Sequence, residues 1–192
     1  MRRSDLIRGL QGINPAKPYG TALFDALAKV TVSVAVEAVC LQLKRKEIVG
    51  VCCETSHGLV QTDDASYNIV EVYMTHRPPD DTAYPSEWHC PGSVLRSGED
   101  IEDVFNRLVD KEFGGGTIQS ARFVANVNNP NEARGHFLSL VYLCCLQAGR
   151  ASEMKGMWFP VDQLPTKTIA SHRRRIIPAA LGAFVAENIQ CA

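Results

Sequence analysis

The sequence predicts an α/β domain, and three stretches carry that prediction. Val30–Leu43 (VTVSVAVEAVCLQL) alternates and is rich in β-branched residues, the pattern of a long strand. Phe137–Leu146 (FLSLVYLCCL) is a nearly continuous apolar run, the pattern of a buried strand. Between them Ile101, Val104, Phe105, Leu108 and Val109 recur at spacings of three and four, which lays one apolar stripe along a helix.

The other elements follow in chain order. Residues 1–20 read as an extension bent at Pro15 and Pro18, and Thr21 caps a short helix through Lys29. After the first strand, Lys44–Glu47 reads as a charged turn into a second short strand, Ile48–Cys53. Residues 54–67 are polar and read as a loop. Ile69–Thr75 is a strand that HRPPDD breaks. Glu99, Asp100, Glu102 and Asp103 place negative charge at the start of the central helix, where the backbone dipole favours it. Gly114–Gly116 end that helix, because glycine accepts the left-handed cap conformation. Ile118–Val127 reads as a strand that gives way to a loop, NVNNPNEARG, and Ile169–Ile189 as a closing helix with Pro178 at its true start or at a kink.

Composition narrows the function classes. With 45% apolar and 21% charged residues in 192, the chain is globular, long enough for one domain with a sizeable core plus extensions. A net charge of −1 gives no general attraction to nucleic acid or to an anionic membrane. No apolar run reaches the ~18 residues that span a bilayer. The seven cysteines are odd in number and form no C-x-x-C pair, which fits buried small hydrophobes in a reducing cytoplasm. No two of the five histidines have metal-ligand spacing.

Pro91–Gly115 (PGSVLRSGEDIEDVFNRLVDKEFGG) resembles the Nudix box, whose pattern is Gly, five residues, Glu, seven residues, then Arg-Glu-apolar-x-Glu-Glu-x-Gly-apolar. Counted from Ser93, beside Gly92, the frame places Glu99, Arg107, Val109, Glu112 and Gly114 at their positions without a gap. Leu108 and Lys111 stand where the pattern has glutamates, and Gly115 where it has an apolar residue. Arg77, Trp88 and Pro91–Gly92, and later the Met154–Thr166 segment (MKGMWFPVDQLPT), follow the family's flanking order, so the resemblance covers about residues 30–190.

The resemblance implies an α/β/α sandwich with a mixed β-sheet, formed by residues 30–192 after an N-terminal extension, 1–29. It implies cleavage of a nucleoside diphosphate linked to another group, with magnesium or manganese neutralising the diphosphate and activating water. The metal ligands and catalytic carboxylates carried over are Glu112 and Glu99, with Glu132 as a carboxylate from outside the box. Asp103 and Asp110, on the same helix, are the candidates to replace the lost glutamates. Arg77, Lys111 and Trp88 are the substrate-binding candidates, and Gly92, Arg107 and Gly114 the structural ones. Leucine cannot ligate, and a lysine ammonium ~4 Å from a divalent ion repels it by about 8 kcal/mol at an effective dielectric near 20.

Two readings of function stand side by side. One is a hydrolase with reduced or rerouted metal-dependent activity. The other is an inactive nucleotide-binding module in which Lys111 takes the place of the metal. A third reading makes the N-terminal extension and the 54–67 loop a homodimer interface.

Overall fold

The computed structural model describes residues 2–14, 20–47, 54–55, 58–59, 66–114, 116–147 and 155–189. Two helices, α1 (Arg3–Gln11) and α2 (Thr21–Ala28), precede strand β1 (Val32–Glu47). A two-stranded hairpin, β2 (Glu54–Thr55) and β3 (Gly58–Leu59), stands apart from the main sheet. Then come β4 (Ser66–His76), β5 (Trp88–His89), β6 (Gly92–Val94), helix α3 (Ile101–Leu108) with a π-helical turn over Val109–Phe113, and β7 (Thr117–Glu132). β8 (Gly135–Gln147), β9 (Gly156–Pro160), a second π turn (His172–Ile176) and α4 (Ile177–Ile189) complete the chain.

The seven-stranded sheet runs β5-β4-β1-β8-β7, with β6 also on β1 and β9 also on β4. β1 and β8 pair in parallel and the other pairs are antiparallel, so the sheet is mixed. Strand periodicity sorts β1 between two cores. Val36, Ala38 and Cys40 face α3, where they meet Tyr73, Val104, Leu108 and Phe113. Val39 and Leu41 face the other way, toward Val72, Met74, Val141 and the start of α4 at Ile177 and Ala180. This gives the α/β/α layering.

Several expectations change. Residues 1–20 contain α1, although none of its side chains is buried. Lys44–Glu47 is not a turn but the end of β1, paired with Ser66–Ile69. Glu71, opposite Gln42, is buried and accepts from Gln42 Nε2 (2.9 Å) and Lys44 Nζ (3.3 Å), so Lys44 serves the sheet instead of breaking it. The strand expected over Ile48–Cys53 lies outside the described residues. β7 does not stop at Val127: Asn128 and Asn129 pair with Leu138 and Phe137, and Pro130, which has no N–H to give, falls in a register shift. Cys40, Cys90 and Cys144 are buried as expected, whereas Cys145 is exposed. Immediately before Pro178 the last helix widens into its π turn, which is where the missing proline N–H is felt.

Candidate functional site

β1 divides between two partners. It pairs with β4 through Leu41–Glu47 and with β6 through Ala35–Glu37. The strands part at that point, and a cavity of about 890 Å³ lies there. Glu37, Arg77, Lys111, Glu112, Glu132 and Arg107 are all on its wall. The N-terminal segment adds Leu10, Ile13 and Phe24. α2 is fastened by Thr82 Oγ1 donating to Asp25 (2.8 Å) and by the Arg134–Asp25 ion pair at 3.5 Å.

The turn ahead of α3 is held by its own charges. Arg107 donates to Glu99 Oε2 (2.7 Å), Ser93 Oγ (2.8 Å) and the Val94 carbonyl (3.1 Å). Glu99 also accepts from the Arg96 N–H at 2.9 Å. Burial alone would push the Glu99 carboxyl up, but the Arg107 hydrogen bond, the Arg96 N–H and both guanidinium charges hold it below the ordinary value. Asp103 is not aimed at the cavity either; it closes a capping box with Asp100 at the helix start. We expect Arg107→Ala to cost about 2 kcal/mol, since it removes the shorter of the two arginine pairs of a largely buried carboxylate and frees Ser93 and the Val94 carbonyl, leaving Glu99 only Arg96 at 3.7 Å, and Arg107→Lys to recover little because one ammonium cannot serve three acceptors. Chemical denaturation of both variants checks this.

Glu112 is buried in the π turn. Its Oε2 accepts from Thr75 Oγ1 at 2.6 Å, and Thr75 in turn lies 3.1 Å from His89 Nε2. Because the single Thr75 proton goes to Glu112, His89 must donate through Nε2, which leaves its buried Nδ1 as a lone pair with no partner among the described residues. Burial, followed by the Arg77 and His172 charges, pushes the His89 pKa well down, so that ring is neutral. His172, whose Nδ1 accepts from the Cys90 N–H (3.1 Å), is pushed down to about 3 by burial and then by Arg77. Glu112 Oε1 faces Lys111 Nζ at 3.6 Å.

The remaining expected residues are placed as follows. Arg77 lines the cavity, donates to Asp81 (3.3 Å) and has a buried Nε with no acceptor among the described residues. Glu132 lines the cavity and accepts from Tyr84 OH. Burial and then this hydrogen bond push the tyrosine pKa up. Trp88 packs edge-on between His76 (4.9 Å between ring centres) and Phe159 (4.8 Å), and is not among the residues that wall the cavity. Gly114 is left-handed, with φ 49°, and caps the π turn. A Cβ on Gly92 would collide with Glu37 Oε2, so the glycine admits that carboxyl.

Sequence reasoning missed Glu37, Thr75, His89 and His172. Only Glu37 had a visible signal, as the one charged residue inside the alternating run Val32–Leu43.

Do these residues fit a divalent ion? Leu108 is fully buried in the α3 core. Glu99 is taken by arginine and Glu112 by Lys111 and Thr75. Among the described residues no three His, Cys, Asp or Glu side chains are grouped to hold a metal. The carboxyls of the box are already engaged by Arg96, Arg107, Lys111 and Thr75, and the donor set does not fit magnesium or manganese. No described helix is long and apolar enough to cross a membrane.

No family model matches the sequence, and no curated protein matches it at the level of sequence. Solved structures do match. A mutT/nudix family protein from Listeria innocua aligns at a TM-score of 0.57 and 14% identity, over 82% of this chain and 97% of its own. A NUDIX hydrolase from Nitrosomonas europaea aligns at 0.51 and 16%, over 82% of this chain and 90% of its own. A MutT/nudix family protein from Enterococcus faecalis aligns at 0.51 and 16%, over 97% of this chain and 70% of its own. With its mixed sheet between α3 and α4 and the cavity in the fork of β1, this chain has the Nudix fold.

Proposed function

We propose that this chain is a nucleotide-binding module that holds a diphosphate through its own lysine and arginine side chains in place of a metal ion. The observation that carries the reading is the Lys111 ammonium 3.6 Å from Glu112, on the wall of the cavity. It supplies at that carboxylate the positive charge that the family's chemistry takes from magnesium. Arg77, Arg96, Arg107 and Arg134 line the same cavity. Arg77 and Arg107 each have a buried Nε without an acceptor, and phosphate oxygens are the acceptors such donors favour.

The test is affinity for a nonhydrolysable ADP-ribose analogue in Lys111→Ala and Lys111→Arg. Loss of a charged hydrogen bond predicts binding weaker by about 10- to 100-fold in the alanine variant, with most of it recovered by arginine. Equal affinity in all three proteins would remove the basis of the reading. The other reading, a phosphoanhydride hydrolase of reduced activity, is favoured by one observation: Glu37, Glu112 and Glu132 line one cavity. Turnover with magnesium or manganese that disappears in Glu112→Gln would support it.

A further inference from the structure

Glu37 belongs to no part of the box, yet it is a buried carboxyl on the cavity wall. It lies on β1 in phase with Val39 and Leu41, is 7% exposed, and lines the cavity. Its Oε1 accepts from Ser139 Oγ (3.2 Å), which in turn lies 3.5 Å from Asn129 Nδ2. Arg175 fixes the Asn129 amide from the far side by donating to its Oδ1 at 3.1 Å. The other Glu37 oxygen rests against Gly92. Position and orientation are therefore set by β1, β6, β7 and β8 together.

The ionisable groups facing it come from four places: Arg77 after β4, Glu112 in the π turn, Glu132 at the end of β7, and the Cys90 thiol ahead of β6. Of these, Arg77 is the cation. It is the charge that favours an ionised Glu37 against burial and two neighbouring carboxyls. Arg77 also lines the cavity, and its Nε, like those of Arg107 and Arg134, is buried with no acceptor among the described residues.

We propose that ligand binding in this cavity is coupled to a proton: a diphosphate that engages Arg77 takes up one solvent proton at the Glu37 carboxylate as it binds. The inference rests on the diphosphate reading above. Its physical basis is charge acting through the cavity that Glu37 and Arg77 both line. Burial, only partly offset by Arg77 and then by Ser139, already raises the Glu37 pKa to about 7. Committing Arg77 to phosphate, and bringing further negative charge into the cavity, withdraws support from the ionised form. A midpoint raised by one pH unit on binding corresponds to affinity about tenfold weaker above the higher midpoint than below the lower one.

The experiment is calorimetric titration of ADP-ribose, in EDTA, in two buffers of different ionisation enthalpy at pH 7, and then at pH 6 and pH 8. Each phosphate of this ligand carries a single charge across that range, so the ligand itself does not titrate. The expected result is net proton uptake and weaker binding at pH 8 for the wild type, with neither effect in Glu37→Gln. The glutamine keeps an acceptor for Ser139. His76, His89 and His172 are present in both proteins, so uptake that persists in Glu37→Gln would overturn the proposal, as would binding with no uptake in the wild type. A carbon-detected titration of Glu37 in the free protein separates failure of the coupling from failure of diphosphate binding. A midpoint near the ordinary carboxylate value rules out Glu37 whatever the ligand does. A midpoint near neutrality with no ADP-ribose binding at any of the three pH values rejects the diphosphate reading, and the coupling falls with it.

Discussion

Leu108→Glu unfolds the domain instead of rebuilding an ion site. Leu108 occupies a glutamate position of the box pattern, and restoring the glutamate is the obvious repair. In this chain, however, the side chain is fully buried among Val36, Tyr73, Val104 and Phe113. Removing a buried leucine side chain costs about 2–5 kcal/mol, and an unpaired carboxyl put in its place adds a desolvation cost of a few more. Against a total stability of roughly 5–15 kcal/mol, that is most of the margin. Thermal and chemical denaturation of Leu108→Glu should show a protein with little cooperative unfolding. A variant as stable as the wild type would mean that α3 turns this position toward the cavity. Lys111→Glu, at a side chain 64% exposed, is expected to fold normally, and it separates loss of fold from loss of site.

The second large effect is acid sensitivity. His172 gains its proton near pH 3 in the fold, against 6.5 for an unperturbed histidine, and the His89 pKa is pushed down as well. Between these values the unfolded chain binds more protons, so stability is complete above pH 6.5 and falls as pH drops toward 3. His172 alone accounts for on the order of 5 kcal/mol across that window. Glu37 works in the opposite direction. Its pKa is raised from 4.5 to about 7, so its burial destabilises the fold above 7 and that cost is relieved as pH falls to 4.5. Two histidines outweigh one carboxyl, and the net expectation is acid unfolding. Asp81 and Glu99, held below their ordinary values despite burial, add to the loss at still lower pH. Denaturant titrations between pH 7.5 and 4 should show a much shallower decline in His172→Asn, whose side-chain oxygen can still accept from the Cys90 N–H. Equal slopes in the two proteins would mean that His172 is not the buried neutral group described.

The sheet was legible because its strands are written as alternation or as apolar runs, and α3 because its stripe and acidic start agree. α1 was not, since its Leu6, Ile7 and Leu10 remain exposed and no core selects it. The end of β1 was missed for the opposite reason: Lys44–Glu47 looks like a turn until β4 lies beside it and Glu71 takes up the charge. At the site, the box frame located Glu99, Arg107, Lys111 and Glu112 but not their partners. Which carboxyl each cation would take depends on how the turn at Ser93–Val94 folds back on α3, and local spacing does not encode that. Glu37, Thr75 and His89 come from three different strands and meet the box only through sheet registry.

The most direct test of the account is the affinity of a nonhydrolysable ADP-ribose analogue measured by calorimetry in EDTA and again in magnesium. Equal affinity in the two conditions, lost in Lys111→Glu, is the predicted result. Binding that requires magnesium and disappears in Glu112→Gln would contradict it, because Glu112 would then be serving an ion and not Lys111.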